Sequence, residues 1–516
     1  MMALNRRKSL LLALGALLAC GALVLFLRLP ALPQSVIDWD ESIYLLMARE
    51  MLRGHPPYTV IWDHKPPGLF VLFALAQIAL GQTILAIRLL AVIVVTATSF
   101  LLWLFGWRVL GSAAIGALAA LFYALFSTQN GGLASNAEIM FAPFVTGALL
   151  LLAMRTGLPA TILPRRRLAC FAAGLLLGLA IQIKTVAGME LLAALAWIGL
   201  AVLASRRAGQ PAPARAVLLA AGLMLLGALL PLLAAAAYFA LSGLWAEFVH
   251  ANFAASAIYL RQAPPLTLPS VAAALLAQAR GAALRWLAAL AAAPLAWLIR
   301  RRHPRAALHL LALGVWLAFA LAATLLSRRF YAHYFLQALP PLSLLAAAVI
   351  VQAVRLDSAL PRARQALLIG LIVAIGLAQP AARPLRASVE EAAALLRRTP
   401  RIELLVYTAG YLRERMAPDD YLYVAEGDPV LYYLTDARLP TRYLFPPHLN
   451  NDQSPMIGVD PLAELDRIMA LQPRYVVLLE EYQRDPAFLA RLQEFLARDY
   501  QLERSIQGIL LYRLVS

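Results

Sequence analysis

Uncharged apolar runs fill the first three quarters of the chain and recur at about the length of a bilayer crossing. Between charged residues they fall at 10–27, 84–105, 111–128, 139–154, 168–183, 185–205, 216–241, 283–299, 306–327, 336–354 and 365–381. A helical span needs about 20 largely apolar residues, with roughly 17–25 tolerated, so the pattern predicts about eleven spans. One more apolar run, 68–80, stops after 13 residues at Gly81. It is predicted to be a juxtamembrane helix lying in the headgroup plane. Near residue 382 the pattern changes and no later run is long enough to span. Strand-like stretches at 421–425, 475–479 and 508–514 alternate with helical periodicity at 461–471 and 486–497, which predicts a small α/β domain. The expected fold is therefore an α-helical polytopic membrane domain, residues 1–381, followed by a soluble α/β domain, residues 382–516.

Composition agrees. Hydrophobic residues make up 62% of 516 positions and mean hydropathy is +0.72, against roughly 45–50% apolar usage in soluble domains, which excludes a water-soluble fold. The net charge of +17 points to a membrane rather than to nucleic acid because of where it sits. Eighteen Lys and Arg residues, in the segments 6–8, 108, 155–167, 206–215, 300–305 and 355–364, are opposed on their side only by Asp357, while the other eight acids before residue 382 fall on the opposite side. By the positive-inside rule the basic side is cytoplasmic. An odd number of spans then places the C-terminal domain outside, in the topology of a multi-pass plasma (bacterial inner) membrane protein. The run after Arg6-Arg7-Lys8 has no convincing small-residue cleavage site and reads as an uncleaved first span. Cys20 and Cys170 both lie in apolar runs, so no disulfide is implied.

The first outer loop is the most chemically loaded segment. Ile43, Tyr44, Met47, Ala48, Met51 and Leu52 recur at helical spacing, predicting an amphipathic helix over 41–53 with its apolar face on the membrane, Asp40 as N-cap and Gly54 as its stop. Asp38, Asp40 and Glu41, held opposite Asp63, His64 and Lys65, are more acid than a cap requires. Asp40 and Glu41 are candidate catalytic carboxylates, able to orient or deprotonate an attacking hydroxyl.

Cation choice sharpens the reading. The chain uses 42 Arg and only 3 Lys, and Lys65 and Lys184 both map to the outer face. An ammonium is a compact donor to a phosphate oxygen, whereas a guanidinium is a planar fork. Each lysine also has a plainer reading, Lys65 as an interface residue and Lys184 as the end of a span. In the outer loop 327–335, Arg328, Arg329, Tyr331, His333 and Tyr334 form a cationic and aromatic cluster on the side where positive charge is unexpected, which calls for an anionic partner. Asn136 and Glu138 close another outer loop. The histidines form no tight pair at ligand spacing, so no metal or other cofactor is predicted.

At these residues the sequence resembles family 39 of the membrane C-type glycosyltransferases, whose bacterial branch includes relatives of the dolichyl-phosphate-mannose-protein mannosyltransferases and of the lipid A aminoarabinose transferase. The match rests on Asp40-Glu41 with Tyr44, Ala48 and Gly54, and on Lys65-Pro66-Pro67-Gly68. Arg88, Asn136-Ala137-Glu138, Gly178 through Lys184, and His333-Tyr334 before Pro340-Pro341 extend it over about residues 30–350. The resemblance implies inverting transfer of a sugar from a polyprenyl-phosphate donor to an extracytoplasmic acceptor. Carried over by position, Asp40 would be the catalytic carboxylate and Lys65 would contact the donor phosphate; the outer-face charges read above add Lys184, Arg328, Arg329 and His333 as candidate phosphate ligands. Asp38, Tyr44, Asp63, His64, Arg88, Asn136, Glu138, Tyr331 and Tyr334 complete the candidate site. No acceptor-specific motif is matched in the C-terminal residues.

Two other classes share the gross features. A transporter or lipid flippase would also have many spans, but repeated halves and broken midplane helices are not evident, and the acids gather at one face. A catalytically inactive assembly protein would not need to keep both Asp40 and Lys65.

Overall fold

The computed structural model describes all residues except 1, 156–166, 208, 210–212, 281, 356–360, 398–402, 451–452, 482–484 and 516. Arg165, Arg166 and Asp357, which enter the charge argument, lie outside the described residues. Among the described residues, sixteen α-helices precede residue 397: α1 (Met2–Arg28), α2 (Trp39–Leu52), α3 (Pro67–Leu80), α4 (Ile84–Arg108), α5 (Ala113–Phe126), α6 (Ala137–Arg155), α7 (Arg167–Ile183), α8 (Gly188–Arg207), α9 (Ala214–Leu241), α10 (Trp245–Val249), α11 (Ala255–Gln262), α12 (Leu268–Arg280), α13 (Ala283–Ile299), α14 (Pro304–Leu326), α15 (Leu339–Arg355) and α16 (Arg362–Leu396). Each of the eleven apolar runs read from the sequence falls on one of them. Among the described residues, seven helices are long and apolar enough to cross a membrane, or nine if two bent helix pairs each count as one span, while α5 and α7 are apolar but shorter.

The chain is an α-helical polytopic membrane protein, and its surface explains why. Leu218, Leu226 and Leu233 on α9 are 72%, 55% and 59% exposed, an apolar exterior that only lipid accommodates without cost. Small residues set helix spacing inside. A Cβ at Gly174 or Gly178 of α7 would strike the backbone oxygens of Met224 and Ala228 on α9, so these two helices touch through their backbones, the close approach that small residues permit in membranes.

Two compact units are formed. One, the helical unit, comprises Met1–Pro30, Leu90–Ala235 and Pro264–Arg397; the other, the mixed unit, comprises Ala31–Leu89, Ala236–Ala263 and Arg398–Ser516. The acid-bearing segment Ala31–Leu89 therefore belongs to the same unit as the C-terminal residues. There α17 (Leu404–Arg413), β1 (Leu422–Val424), α18 (Val430–Thr435), α19 (Pro447–Asn450), α20 (Pro461–Ala470), β2 (Tyr475–Leu479), α21 (Pro486–Asp499), β3 (Tyr500–Ile506) and β4 (Ile509–Leu514) build a four-stranded sheet of order β1-β2-β4-β3. β1 and β2 are parallel, with Tyr423 opposite Val476. β4 runs antiparallel to both neighbours. β2 lies inside the sheet and reads Tyr-Val-Val-Leu-Leu, nearly all buried, as a strand covered on both faces should. Gln507 and Gly508, both at positive φ, make the two-residue turn between β3 and β4, the backbone twist that tight hairpins favour.

Two local expectations are revised. The α2 helix does not turn an apolar face outward as expected: Glu41 through Glu50 are all buried. Tyr44 packs edge-on to Phe73 of α3 at 5.5 Å. On the other side Arg49 donates to the carbonyls of Tyr432 and Tyr433 and pairs with Asp436, and the Ser42 hydroxyl donates to Asp428 at 2.7 Å. The helix is thus sandwiched within the mixed unit. Its N-cap is also Asp38 rather than Asp40, as the site geometry makes clear.

Candidate functional site

In the mixed unit, the start of α2 sets the chemistry. Asp38 has extended backbone geometry and its carboxylate accepts the Asp40 amide at 3.2 Å, satisfying one of the N–H groups that a helix start leaves open. Asp38 rather than Asp40 caps because the first helical residue is Trp39, two positions earlier than apolar periodicity alone suggests. Asp40 consequently sits in the first turn, where its negative charge favours the helix N-terminus. Its carboxylate accepts the Tyr44 hydroxyl at 3.1 Å and faces the Lys65 ammonium at 4.0 Å, with the Asp40 side chain a quarter exposed.

Glu41, one residue on, has a different environment. It is fully buried, and Arg88 of α4 holds its two oxygens with a bidentate pair of bonds at 2.6 and 2.7 Å, while the Ile37 amide adds a third at 2.6 Å. The same guanidinium donates to the carbonyls of Gln34 and Ser35. Glu41 and Arg88 therefore clamp the 34–41 segment. Three donors thus fall on the Glu41 carboxylate, while the Tyr44 hydroxyl donates to that of Asp40.

Lys65 is presented by a stiff loop. Tyr58, at φ 72°, donates its hydroxyl to the Lys65 carbonyl at 2.8 Å and accepts from Asn252, and the following prolines fix the backbone. Around the ammonium lie Asp63 at 3.8 Å, His64 Nε2 at 3.4 Å and, more distantly, the Tyr44 ring. Burial raises the Asp63 pKa, Asp40 reinforces that, and Lys65 opposes it.

His448 was not singled out by sequence reasoning. It lies on α19, packed edge-on against Trp62 with ring centroids 4.9 Å apart and 6.5 Å from His64. Burial and the nearby Lys65 push its pKa down to about 3, against the opposing pull of Asp40, so the ring is neutral at physiological pH. Nothing local in Pro446-Pro447-His448 marks it. Only the fold brings it to Lys65. Among the described residues no three His, Cys, Asp or Glu side chains are grouped to hold a metal ion.

The helical unit contains a second cluster. Lys184, at the end of α7, contacts the buried Glu138 in the first turn of α6 and lies 3.9 Å from the centre of the Tyr334 ring. Asn136 donates to the Gly131 carbonyl at 2.8 Å, closing the 127–136 turn. His333 stacks on Tyr331 and meets Tyr334 edge-on. Arg328, at φ 56°, and Arg329 are half-buried in the turn that follows α14. Behind this cluster Glu190 of α8, also not singled out from the sequence, accepts from Trp316 Nε1 at 2.7 Å and Gln337 Nε2 at 3.1 Å. It ties α8 and α14 to the 3-10 segment Ala332–Ala338 that carries His333 and Tyr334. The candidate residues thus gather in two clusters, each within its own unit.

No protein-family model matches the sequence, and no curated protein matches it significantly. Solved structures do. The chain is similar to ArnT from Cupriavidus metallidurans bound to undecaprenyl phosphate, at 15% identity over 97% of both chains with a TM-score of 0.61. The apo state of that protein matches at 16% identity over 98% of both chains, again with a TM-score of 0.61. The archaeal oligosaccharyltransferase AglB from Archaeoglobus fulgidus, in complex with an inhibitory peptide and a dolichol-phosphate, matches at 14% identity with a TM-score of 0.54, over 98% of this chain and 74% of that one. The chain has the fold these proteins share.

Proposed function

We propose that this protein is a membrane glycosyltransferase that moves a sugar, with inversion, from a polyprenyl-phosphate donor to an acceptor outside the cytoplasm. The observation that carries the reading is the Asp40–Lys65 pair: a carboxylate and an ammonium 4.0 Å apart, on elements braced by a cap, a buried ion pair and two prolines. In the proposed reaction an acceptor hydroxyl attacks the anomeric carbon. Its proton passes to Asp40 as the bond from that carbon to the phosphate oxygen breaks, and polyprenyl phosphate leaves as an anion. Lys65 stabilises the charge growing on that phosphate. Glu41 and Arg88 act through Asp40 as positioning residues. The sugar arrives already activated, so no nucleotide site is required.

Binding of undecaprenyl phosphate and dolichol-phosphate by proteins of the same fold supports the donor class. The charge asymmetry supports a cytoplasmic N-terminus and a C-terminal domain on the outer face of a bacterial inner membrane. A cysteine placed at Gln82 and labelled only from the cytoplasm would overturn that orientation. The activity is tested by reconstituting the purified chain with polyprenyl-phosphate sugars and measuring polyprenyl phosphate release together with sugar transfer. Lipid movement across the bilayer without release would replace the transferase with a flippase.

A further inference from the structure

We propose that Arg285 is the centre of a lipid-phosphate site in the helical unit. Arg285 lies in the first turn of α13 and is 6% exposed. Its Nε and Nη1 have no hydrogen-bond partner among the described residues. The guanidinium rests 3.3 Å from the centre of the Phe126 ring, a contact that offsets part of its lost hydration but uses none of its N–H donors. No ion pair to Arg285 is formed among the described residues, and a buried cation without a counter-ion is strongly unfavourable, so its unmet donors beside a recess call for an anion.

That recess is bordered by Arg285, Asn130, Gln278, Trp286 and Phe335. Asn130 donates to the Gln278 carbonyl at 2.6 Å, so Gln278 retains its amide donors alongside those of Arg285. Guanidinium and carboxamide donors together suit an oxyanion such as a phosphate. The surroundings indicate its source. α12 buries no residue, and Leu268, Leu276, Leu287 and Leu290 on α12 and α13 are 60–83% exposed. An anion reaching such a lipid-facing surface arrives attached to an apolar chain, and the site is matched to the headgroup of an anionic lipid rather than to free phosphate. Binding here does not depend on the transferase reading.

The full-length chain in neutral detergent, followed by thermal unfolding, tests this. Phosphatidylglycerol should raise the Tm saturably where phosphatidylcholine and inorganic phosphate do not. Arg285→Gln should increase the half-saturating phosphatidylglycerol concentration by about tenfold or more, the scale of one charge-assisted hydrogen bond. Without anionic lipid, Arg285→Leu should be at least as stable as wild type, because an unpaired buried charge is gone. If Arg285→Gln does not fold, Gln278→Ala carries the same test. An unchanged phosphatidylglycerol response in the folded variant would overturn the site, and an equal shift with inorganic phosphate would overturn its assignment to a lipid.

Discussion

Lys65 and Lys184 are two of only three lysines in a chain that otherwise uses arginine, and each meets an acid and a tyrosine, yet the two arrangements differ in what they leave open. Lys184 is in direct contact with Glu138, whose side chain is 2% exposed, and its ammonium lies directly against Tyr334. Lys65 stands 4.0 Å from Asp40 and 3.8 Å from Asp63, and Tyr44 is 5.9 Å away. The tight pair has its charges compensated in place. The loose one holds its carboxylate and ammonium 4.0 Å apart, the pair on which the proposed reaction rests. The difference teaches that residue type and loop position select candidates, while pair geometry distinguishes a tight buried pair from the looser one proposed to react.

The largest expected effect breaks this comparison at Asp40. General-base assistance is typically worth about 10² to 10⁴ in rate, so Asp40→Asn should lose most transfer while donor binding stays nearly intact. Transfer at the wild-type rate by folded Asp40→Asn would remove the proposed base. Next come the braces. Lys184→Ala leaves Glu138 buried without its cation, and Glu41→Gln breaks the clamp on Arg88. Losing one partner of a buried pair costs about 3–5 kcal/mol, so both variants should show a lowered Tm. Donor affinity per folded molecule should change little in either. A Lys184→Ala protein of normal Tm but weakened donor binding would restore Lys184 as a phosphate ligand.

Lys65→Ala should weaken donor binding about ten- to a hundredfold, as expected for a hydrogen bond to a charged group. It should lower the rate as well, because the contact strengthens as the phosphate leaves. Unchanged affinity and rate would remove the proposed phosphate contact.

The smallest effects are on the pH dependence of the mixed unit. Burial lifts Asp428 to about 7 from its ordinary 3.8. A raised folded pKa contributes stability that is fully present below the unfolded value and lost as pH rises through the folded one, so this contribution fades between roughly pH 4 and 7. His448 has the opposite sign. Its pKa is depressed from 6.5 to about 3, so its contribution is present above roughly pH 6.5 and is lost as pH falls toward 3. Asp428→Asn should flatten the higher-pH side of a Tm profile and His448→Gln the acid side. Profiles that keep their shape in both variants would show that neither group titrates as its burial dictates.

What the sequence by itself determined is what depends on local composition and period. The apolar runs became helices because a run of about 20 uncharged residues has no other way to satisfy its backbone in lipid. Tyr475–Leu479 was legible as a strand from its short unbroken apolar run with β-branched and aromatic residues at its start. β3 was not, because Gln501, Glu503 and Arg504 give it the polar face of an edge strand, which resembles a loop in sequence. The first-loop helix was legible to within two residues. Its cap was not, since Asp38 and Asp40 are equally good capping residues and only the backbone decides between them. The tertiary structure alone decided which charges are braced and which are poised. Glu41 is tied to Arg88 across 47 residues, and His448 reaches the neighbourhood of Lys65 from the other end of the chain. Such pairings are set by packing between elements distant in sequence, where hydrophobic period carries no information about which polar groups will meet.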